Sequence, residues 1–416
     1  MQRARPNYKW ELLALLWVAF FFHQGDRQVF NAVLPLIKTD LRLSDVQLGL
    51  VATAFTFIYG ALVPLAGVLG DFVSRKWIVC LSLLTFSTGT LLTGLSGGLF
   101  ALILFRSIAT GAGEAFYYPA ATSLLSQHHR ETRAQALAIH QTALYVGIVA
   151  SSWLAGYIGE LHGWRAAFYT FGFGGLVLAV VLAVRLKDTP AGAEVEAGPV
   201  RDKPKLAEVL RFILRKPTFY LLSVAFGGMV FVGVGYLTWM PTFLYEKFQL
   251  PLKEAALHAV LYHHLFAFIG VMVGGRVSDR LAARRPRIRM EIECLGLLLG
   301  APFIWLMGAS SDLTLVYVAL AGFGFFRGLY DSNLFAALFD FIPPPFRSSA
   351  TGLMLSCAFA VGATAPLVLG YVKQHVNLSI GLSSLAFVYL FASAAVFVAL
   401  RLFFAKDYLR ETPPPA

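Results

Sequence analysis

Apolar residues fall along this chain in twelve runs, at 10–37, 44–70, 76–95, 98–125, 134–159 and 164–186, then at 218–244, 254–277, 289–307, 313–341, 348–371 and 379–404. Each run is apolar on most helical faces instead of alternating, and short charged or Gly/Pro-containing breaks separate it from the next. About 20 residues at a rise of about 1.5 Å cross a hydrocarbon core of about 30 Å. A helix satisfies its own backbone in lipid, whereas barrel strands would alternate apolar and polar residues. The pattern predicts an all-α membrane protein with twelve transmembrane helices. The first run is too long for a signal-peptide core and lacks a small-residue cleavage pattern, so it is expected to remain as the first helix.

The long polar segment 187–217 carries Pro190, Pro199 and Pro204 with an Ala/Gly/Glu-rich stretch at 191–198. It reads as a cytoplasmic linker with a short amphipathic helix at 206–214. The predicted domains are a six-helix bundle at 1–186, the linker, and a second six-helix bundle at 218–416. Internal repeats support the split. Gly67-x-x-x-Asp71-x-x-x-Arg75-Lys76 follows the second run, and Gly275-x-x-x-Asp279-Arg280 with Arg284 and Arg285 follows the eighth. Gly111-x-Gly113 in the fourth run is echoed by Gly322-x-Gly324 in the tenth, and Arg133 and Arg347 open the runs that come next.

Composition agrees with lipid as the solvent: 57% of residues are hydrophobic and 14% charged, against roughly 25% charged in an average soluble domain. The net charge of +11 would suggest nucleic acid in a soluble protein, but the basic residues are sorted by side. Arg75, Lys76, Arg133, the 185–216 stretch, Arg276 to Arg289, Arg347 and Arg401 share one side. The other holds only Lys38, Arg42, Arg165, Lys247, Lys253 and Lys373. By the positive-inside rule both termini and the central loop are cytoplasmic, and no nucleic-acid partner is expected. Cys80, Cys294 and Cys357 are scattered, so no disulfide framework or metal cluster is indicated. With no phosphate-binding loop and no catalytic triad spacing, the chain is expected to be neither an ATPase nor any other enzyme, and to use no cofactor. Short loops and compact termini fit a bacterial inner-membrane protein, and a monomer is expected because such a bundle requires no partner.

The duplicated loop motif and the two six-helix halves resemble the major facilitator superfamily over nearly the whole chain, with Phe72 where that family's loop usually has Arg and Ser74 where it usually has Gly. The resemblance implies two halves around a central cavity and transport by alternating access. It also implies that Asp71 and Asp279, with Arg75 and Arg280, latch one conformation; plain helix-end capping is the alternative. A narrower resemblance rests on His23-Gln-Gly-Asp26-Arg27, on Leu43-Ser44-Asp45-Val46-Gln47-Leu48-Gly49, on Gly111-Ala-Gly113-Glu114 running on to Tyr118-Pro119-Ala120, and on Gly163-Trp164-Arg165. That set is similar to the anion:cation symporters, which include hexuronate and galactonate carriers, and it also resembles the spinster lipid transporters. Both families usually place an Arg seven residues before the helix-four Glu. Here Arg106 stands eight before Glu114, which in a regular helix leaves the two about 80° apart.

Asp26, Arg27, Glu114, Arg327 and Asp331 lie well inside predicted helices, where an Asp, Lys or Arg costs about 2.5–3.5 kcal/mol on translocon scales. Arg27 can grip a carboxylate through two parallel hydrogen bonds, and the resemblance gives it anion binding. Asp26 and Glu114 suit proton coupling, because a carboxyl in a poorly hydrated cavity can take and release a proton near neutral pH. Arg327 and Asp331, four apart on one helix face, either neutralise each other or leave Arg327 as a second cation for the substrate, with Asn333 reading a hydroxyl. His23, Tyr117, Tyr118, Gln141, Tyr145, Tyr236, Trp239, His263 and His264 are further candidates for substrate contact, with packing or interfacial anchoring as the alternative. Proton-coupled symport of a small organic anion is the leading expectation, and a spinster-like lysolipid exporter is the alternative.

Overall fold

The computed structural model describes residues 8–69, 73–129, 131–187, 206–282 and 284–408. Twelve long helices account for most of them, and no strand occurs among the described residues. They are α1 (Tyr8–Leu41), α2 (Asp45–Leu69), α3 (Arg75–Thr93), α4 (Leu99–His128), α5 (Arg133–His162) and α6 (Trp164–Arg185). The second set is α7 (Pro217–Phe248), α8 (Leu252–Ala282), α9 (Ile288–Ala309), α10 (Leu313–Phe339), α11 (Ser349–His375) and α12 (Leu378–Asp407). Eleven are long and apolar enough to cross a membrane. The other is α1, which has 34 residues but carries His23, Gln24, Asp26, Arg27 and Gln28 in its middle. The expected short helix is present at Leu206–Leu214, while 188–205 lie outside the described residues.

By contact, the chain forms two compact units. The first comprises Met1–Pro199 with Leu237–Leu261 and Pro366–Gln374, and the second comprises Val200–Tyr236, Tyr262–Ala365 and His375–Ala416. Several sequence motifs explain how the first unit is tied together. Ser44 and Gln47 form a reciprocal cap at the start of α2: the Ser44 N–H donates to Gln47 Oε1 at 2.9 Å and the Gln47 N–H to Ser44 Oγ at 3.2 Å, the arrangement of a capping box. Gly163, at φ +82°, makes the turn between α5 and α6 in the region open to glycine. The next two residues then clasp the end of α1: the Trp164 indole donates to Asp40 at 3.0 Å and Arg165 pairs with the same carboxylate.

At the same end of this unit, Lys373 Nζ lies 2.9 Å from Asp45 and 2.7 Å from Glu246, while Lys38 holds the other Asp45 oxygen at 2.7 Å. A Cβ on Gly49 would stand 2.9 Å from the Leu367 Cα, so only glycine lets α2 and the 366–374 segment touch backbone to backbone. The Leu367 N–H donates to Thr53 Oγ1 at 3.2 Å. Trp239 is fully buried here, its indole donating to the Pro366 carbonyl at 3.0 Å.

The second unit repeats the glycine device. A Cβ on Gly324 in α10 would meet the His263 Cα of α8 at 2.9 Å. Two of its helices are broken, α10 at Ser332–Asn333 and α11 at Ala363–Thr364. Arg289 pairs with Asp340 at 2.5 Å, just past the second piece of α10 (Leu334–Phe339).

Candidate functional site

The intramembrane charges of the first unit form one buried cluster. Arg27 on α1 donates from Nε to Glu114 Oε2 on α4 at 2.5 Å. Glu114 is fully enclosed, whereas the Arg27 side chain remains 24% exposed. Asp26, next to Arg27 in sequence, is buried and turns to α3, where Thr90 donates its hydroxyl to Oδ2 at 2.9 Å. His23, one turn earlier, sets Nε2 3.1 Å from the Glu114 carbonyl. The rings of Phe55 and Tyr59 on α2 back the guanidinium of Arg27, at 5.6 and 4.1 Å from Cζ to the ring centres, which is cation–π range.

Glycines beside Glu114 bring its neighbours in. A Cβ on Gly113 would stand 2.6 Å from the Phe86 N of α3, and one on Gly111 would stand 3.2 Å from the Phe55 carbonyl of α2. The glycine pair is therefore a packing device that seats three helices around one carboxyl group.

The helix between Arg106 and Glu114 is not regular. Residues Ile103–Ala109 of α4 form a π-turn, and the Thr110 N–H reaches the Phe105 carbonyl five residues back. A π-turn absorbs one extra residue, so an eight-residue spacing brings Arg106 to within about 20° of the Glu114 face, as seven residues would in a regular helix. Arg106 is buried, stacks 4.0 Å over Phe55 and approaches the Arg27 carbonyl from Nη2 at 3.4 Å. It makes no ion pair with Glu114 among the described residues, and its Nε and Nη1 have no partner there. Deleting Ile108, an exposed residue inside the π-turn, is expected to give a regular helix that keeps Arg106 in the cluster. The deletion variant should transport within about threefold of the parent while Arg106→Ala falls well below it, as initial uptake rates would read; this bulge is placed at a functional site.

Three buried charges, Asp26, Arg106 and Glu114, and the partly exposed Arg27 thus share one volume and sum to zero when all are ionised. Asp26 Oδ1, Glu114 Oε1 and Arg27 Nη2 are buried atoms without hydrogen-bond partners among the described residues. Such a set has free valences for a proton or an anion, with Arg27 as its exposed member.

The other candidates fall in three places. Tyr117 is enclosed, donates to the Leu16 carbonyl at 2.6 Å and stacks on Phe20. Tyr118 is exposed and donates to Gln141 at 3.3 Å, and Tyr145 is half-buried two residue pairs further along α5. In the second unit Arg327 lies 3.4 Å from Asp331 and 3.4 Å from His263 Nε2. Tyr236 packs on His263 at 4.8 Å, and His264 is buried beside them. Asn333 donates to the Leu329 carbonyl and to Ser332 at the α10 break. Trp239 is placed with Lys373, 5.3 Å from its ring.

Of the loop residues, Asp71 lies outside the described residues. Arg75 opens α3. Asp279 and Arg280 are exposed near the end of α8, and Asp279 has no ion pair among the described residues. No group of three or more potential metal ligands occurs among the described residues. The sequence reading missed Arg106's stacking partner Phe55, the cap on Asp26 by Thr90, and the buried Glu293. A search for polar residues inside apolar runs would have found Thr90 and Glu293.

The chain is similar to known proteins over most of its length. The probable sulfoacetate transporter SauU of Cupriavidus necator is 28% identical over 381 residues, covering 88% of this chain and 87% of that one. Protein spinster homolog 1 of Xenopus tropicalis is 27% identical over 390 residues, covering 88% and 73%. The hexuronate transporter of Bacillus subtilis is 25% identical over 422 residues, covering 98% of each. Among solved structures, a bacterial homolog of the human lysosomal transporter spinster, inward-facing and unoccupied, superposes with a TM-score of 0.85 at 21% identity, covering 98% of this chain and all of that one. The pattern of the Major Facilitator Superfamily matches residues 16–366, and this chain is a multi-pass membrane transporter belonging to that family.

Proposed function

We propose that the protein is a proton-coupled symporter of a small organic anion, a sugar acid or other carboxylate, working by alternating access between its two six-helix halves. The observation that carries this reading is the 2.5 Å contact between partly exposed Arg27 and enclosed Glu114. An anion that takes Arg27 in a two-pronged grip removes the one cation paired with Glu114. A buried carboxylate that loses its hydrogen-bonded cation costs several kcal/mol, so it takes up a proton. Proton and anion binding therefore favour each other, and each strengthens the other by the same factor. Relatives described as sulfoacetate and hexuronate transporters support an anionic substrate. The spinster relatives keep lysolipid in the test.

In this reading both termini are cytoplasmic, since the basic excess lies on their side. The end of the first unit that holds Lys38, Asp45 and Lys373 is then external, and its packing against 366–374 is the closed outer gate. Lys373, whose side chain is 8% exposed, joins two carboxylates there. Lys373→Met is expected to weaken this closure by about 1–3 kcal/mol. In a background with Cys80, Cys294 and Cys357 replaced by Ser, alkylation of Thr53→Cys by an impermeant maleimide should rise at least severalfold with Lys373→Met; an unchanged rate would remove the gate assignment.

The test of function is solute-induced proton movement in proteoliposomes loaded with a pH dye, with sulfoacetate, glucuronate, galacturonate and a lysolipid as probes. Proton influx with a carboxylate or sulfonate supports the symporter. Lysolipid flux that survives Arg27→Ala, with no proton movement on any organic anion, replaces it with the lipid carrier.

A further inference from the structure

The second unit holds a carboxyl group that the Arg27–Glu114 cluster does not use. Glu293, in the second turn of α9, is fully enclosed, and neither of its carboxyl oxygens has a hydrogen-bond partner among the described residues. No basic side chain lies within ion-pair distance of it there. Arg289, one turn earlier on the same helix, is committed to Asp340 at 2.5 Å. α9 packs against α10 and α12; Asp340, in the turn after α10, and Tyr330 of α10 face Glu293, Asp331 and Tyr389 lie in turn beside Tyr330, and Cys294 and Arg289 are its neighbours on α9 itself. The hydroxyls of Tyr330 and Tyr389 are likewise buried and unpartnered among the described residues.

We propose that Glu293 is a second proton-binding site, loaded in this conformation and discharged when Arg289 changes partner from Asp340 to Glu293. A charged carboxylate at this position would be fully desolvated with carboxylates and no free cation nearby, which is the costliest arrangement for a buried ion. As a carboxylic acid it is neutral and adds a donor to a site that also holds the Tyr330 hydroxyl. Arg289 and Glu293 are four residues apart, so they share a helix face and can pair. Asp340 sits beyond the break at Ser332–Asn333 and keeps 15% of its side chain exposed, so a shift of the 334–340 segment can carry it off Arg289. Glu293 then becomes the partner of Arg289 and gives up its proton to water: the carboxyl O–H bond breaks, the electron pair stays on the carboxylate, and Arg289 keeps its own proton. The idea extends the proton-coupled reading to the other half of the chain.

Infrared absorption of the carboxylic acid carbonyl, followed against pH in purified protein, tests it without any substrate. Wild type should show at neutral pH an acid carbonyl component that Glu293→Gln lacks. In Asp340→Asn, which frees Arg289, that component should disappear at a pH lower by about one unit or more. All three proteins are compared by size-exclusion elution, and both substitutions conserve side-chain shape. An acid signal at neutral pH that is the same in wild type and Glu293→Gln overturns the proposal. So does a Glu293 component whose titration is unmoved by Asp340→Asn, because that describes a fixed structural acid. Proton movement driven by organic anions and lost in Glu114→Gln belongs to the first unit's cluster and stands or falls separately.

Discussion

Arg27→Ala is expected to reduce uptake of the transported anion by about a hundredfold or more, with the protein still inserted and monodisperse. Each hydrogen bond to a charged group contributes about 1.5–3 kcal/mol, and a two-pronged grip makes two of them, so about 3–6 kcal/mol of anion binding is at stake. At about 1.4 kcal/mol per factor of ten, even the lower bound gives the stated loss. The loss should appear as weaker binding in a direct titration, because Arg27 is the exposed member of the cluster. Arg27→Lys should recover only part of it: an ammonium supplies the charge but not the parallel pair of donors. Uptake within about threefold of wild type in Arg27→Ala would remove Arg27 from the anion site.

Glu114→Gln is expected to abolish proton-driven accumulation while leaving counterflow exchange in place. Symport of one proton with a monoanion is electroneutral, so the accumulation ratio follows the pH difference, about tenfold per unit. In wild type the apparent anion affinity should strengthen as external pH falls, by up to about tenfold per unit, since binding takes up a proton. The sign follows from the pairing: acid protonates Glu114, the Arg27 guanidinium is released, and the anion takes it. A glutamine has no proton to exchange and competes weakly for Arg27, so the pH dependence should flatten and the ratio should fall to about one. Asp26→Asn separates the two carboxyls. Asp26 bonds Thr90 and not Arg27, so its amide variant should keep most of the pH dependence of anion affinity. A steep pH dependence surviving in Glu114→Gln but lost in Asp26→Asn would exchange their roles.

Much of the site was visible in the sequence because lipid makes it conspicuous. A charge in the middle of an apolar run carries a cost, so Asp26, Arg27, Glu114, Arg327 and Asp331 stood out without any structure. The pairing pattern did not. Asp26 and Arg27 are adjacent, and which of them met Glu114 depended on how α1 is rotated against α3 and α4. The eight-residue step from Arg106 to Glu114 could not reveal the π-turn between them, since a π-turn leaves no local mark in residue type. Trp239 was a candidate for substrate contact or for packing, and its burial against Lys373 and Pro366 was not legible in the sequence.

The run lengths of the chain alone determined an all-helical membrane protein, because about 20 apolar residues in lipid have no other way to satisfy their backbone. The loop motif, the glycine pairs and the Asp26–Arg27 step were enough to resemble the family to which the chain belongs. Only the tertiary structure decided that Glu114 is the partner of Arg27, that Lys373 joins Asp45 to Glu246, and that Glu293 is buried without one. The physical reason is range: hydrophobicity and helix period are local properties written in consecutive residues. Ion pairing inside a membrane protein is fixed by helix rotation and by contacts between residues as far apart as Asp45 and Lys373.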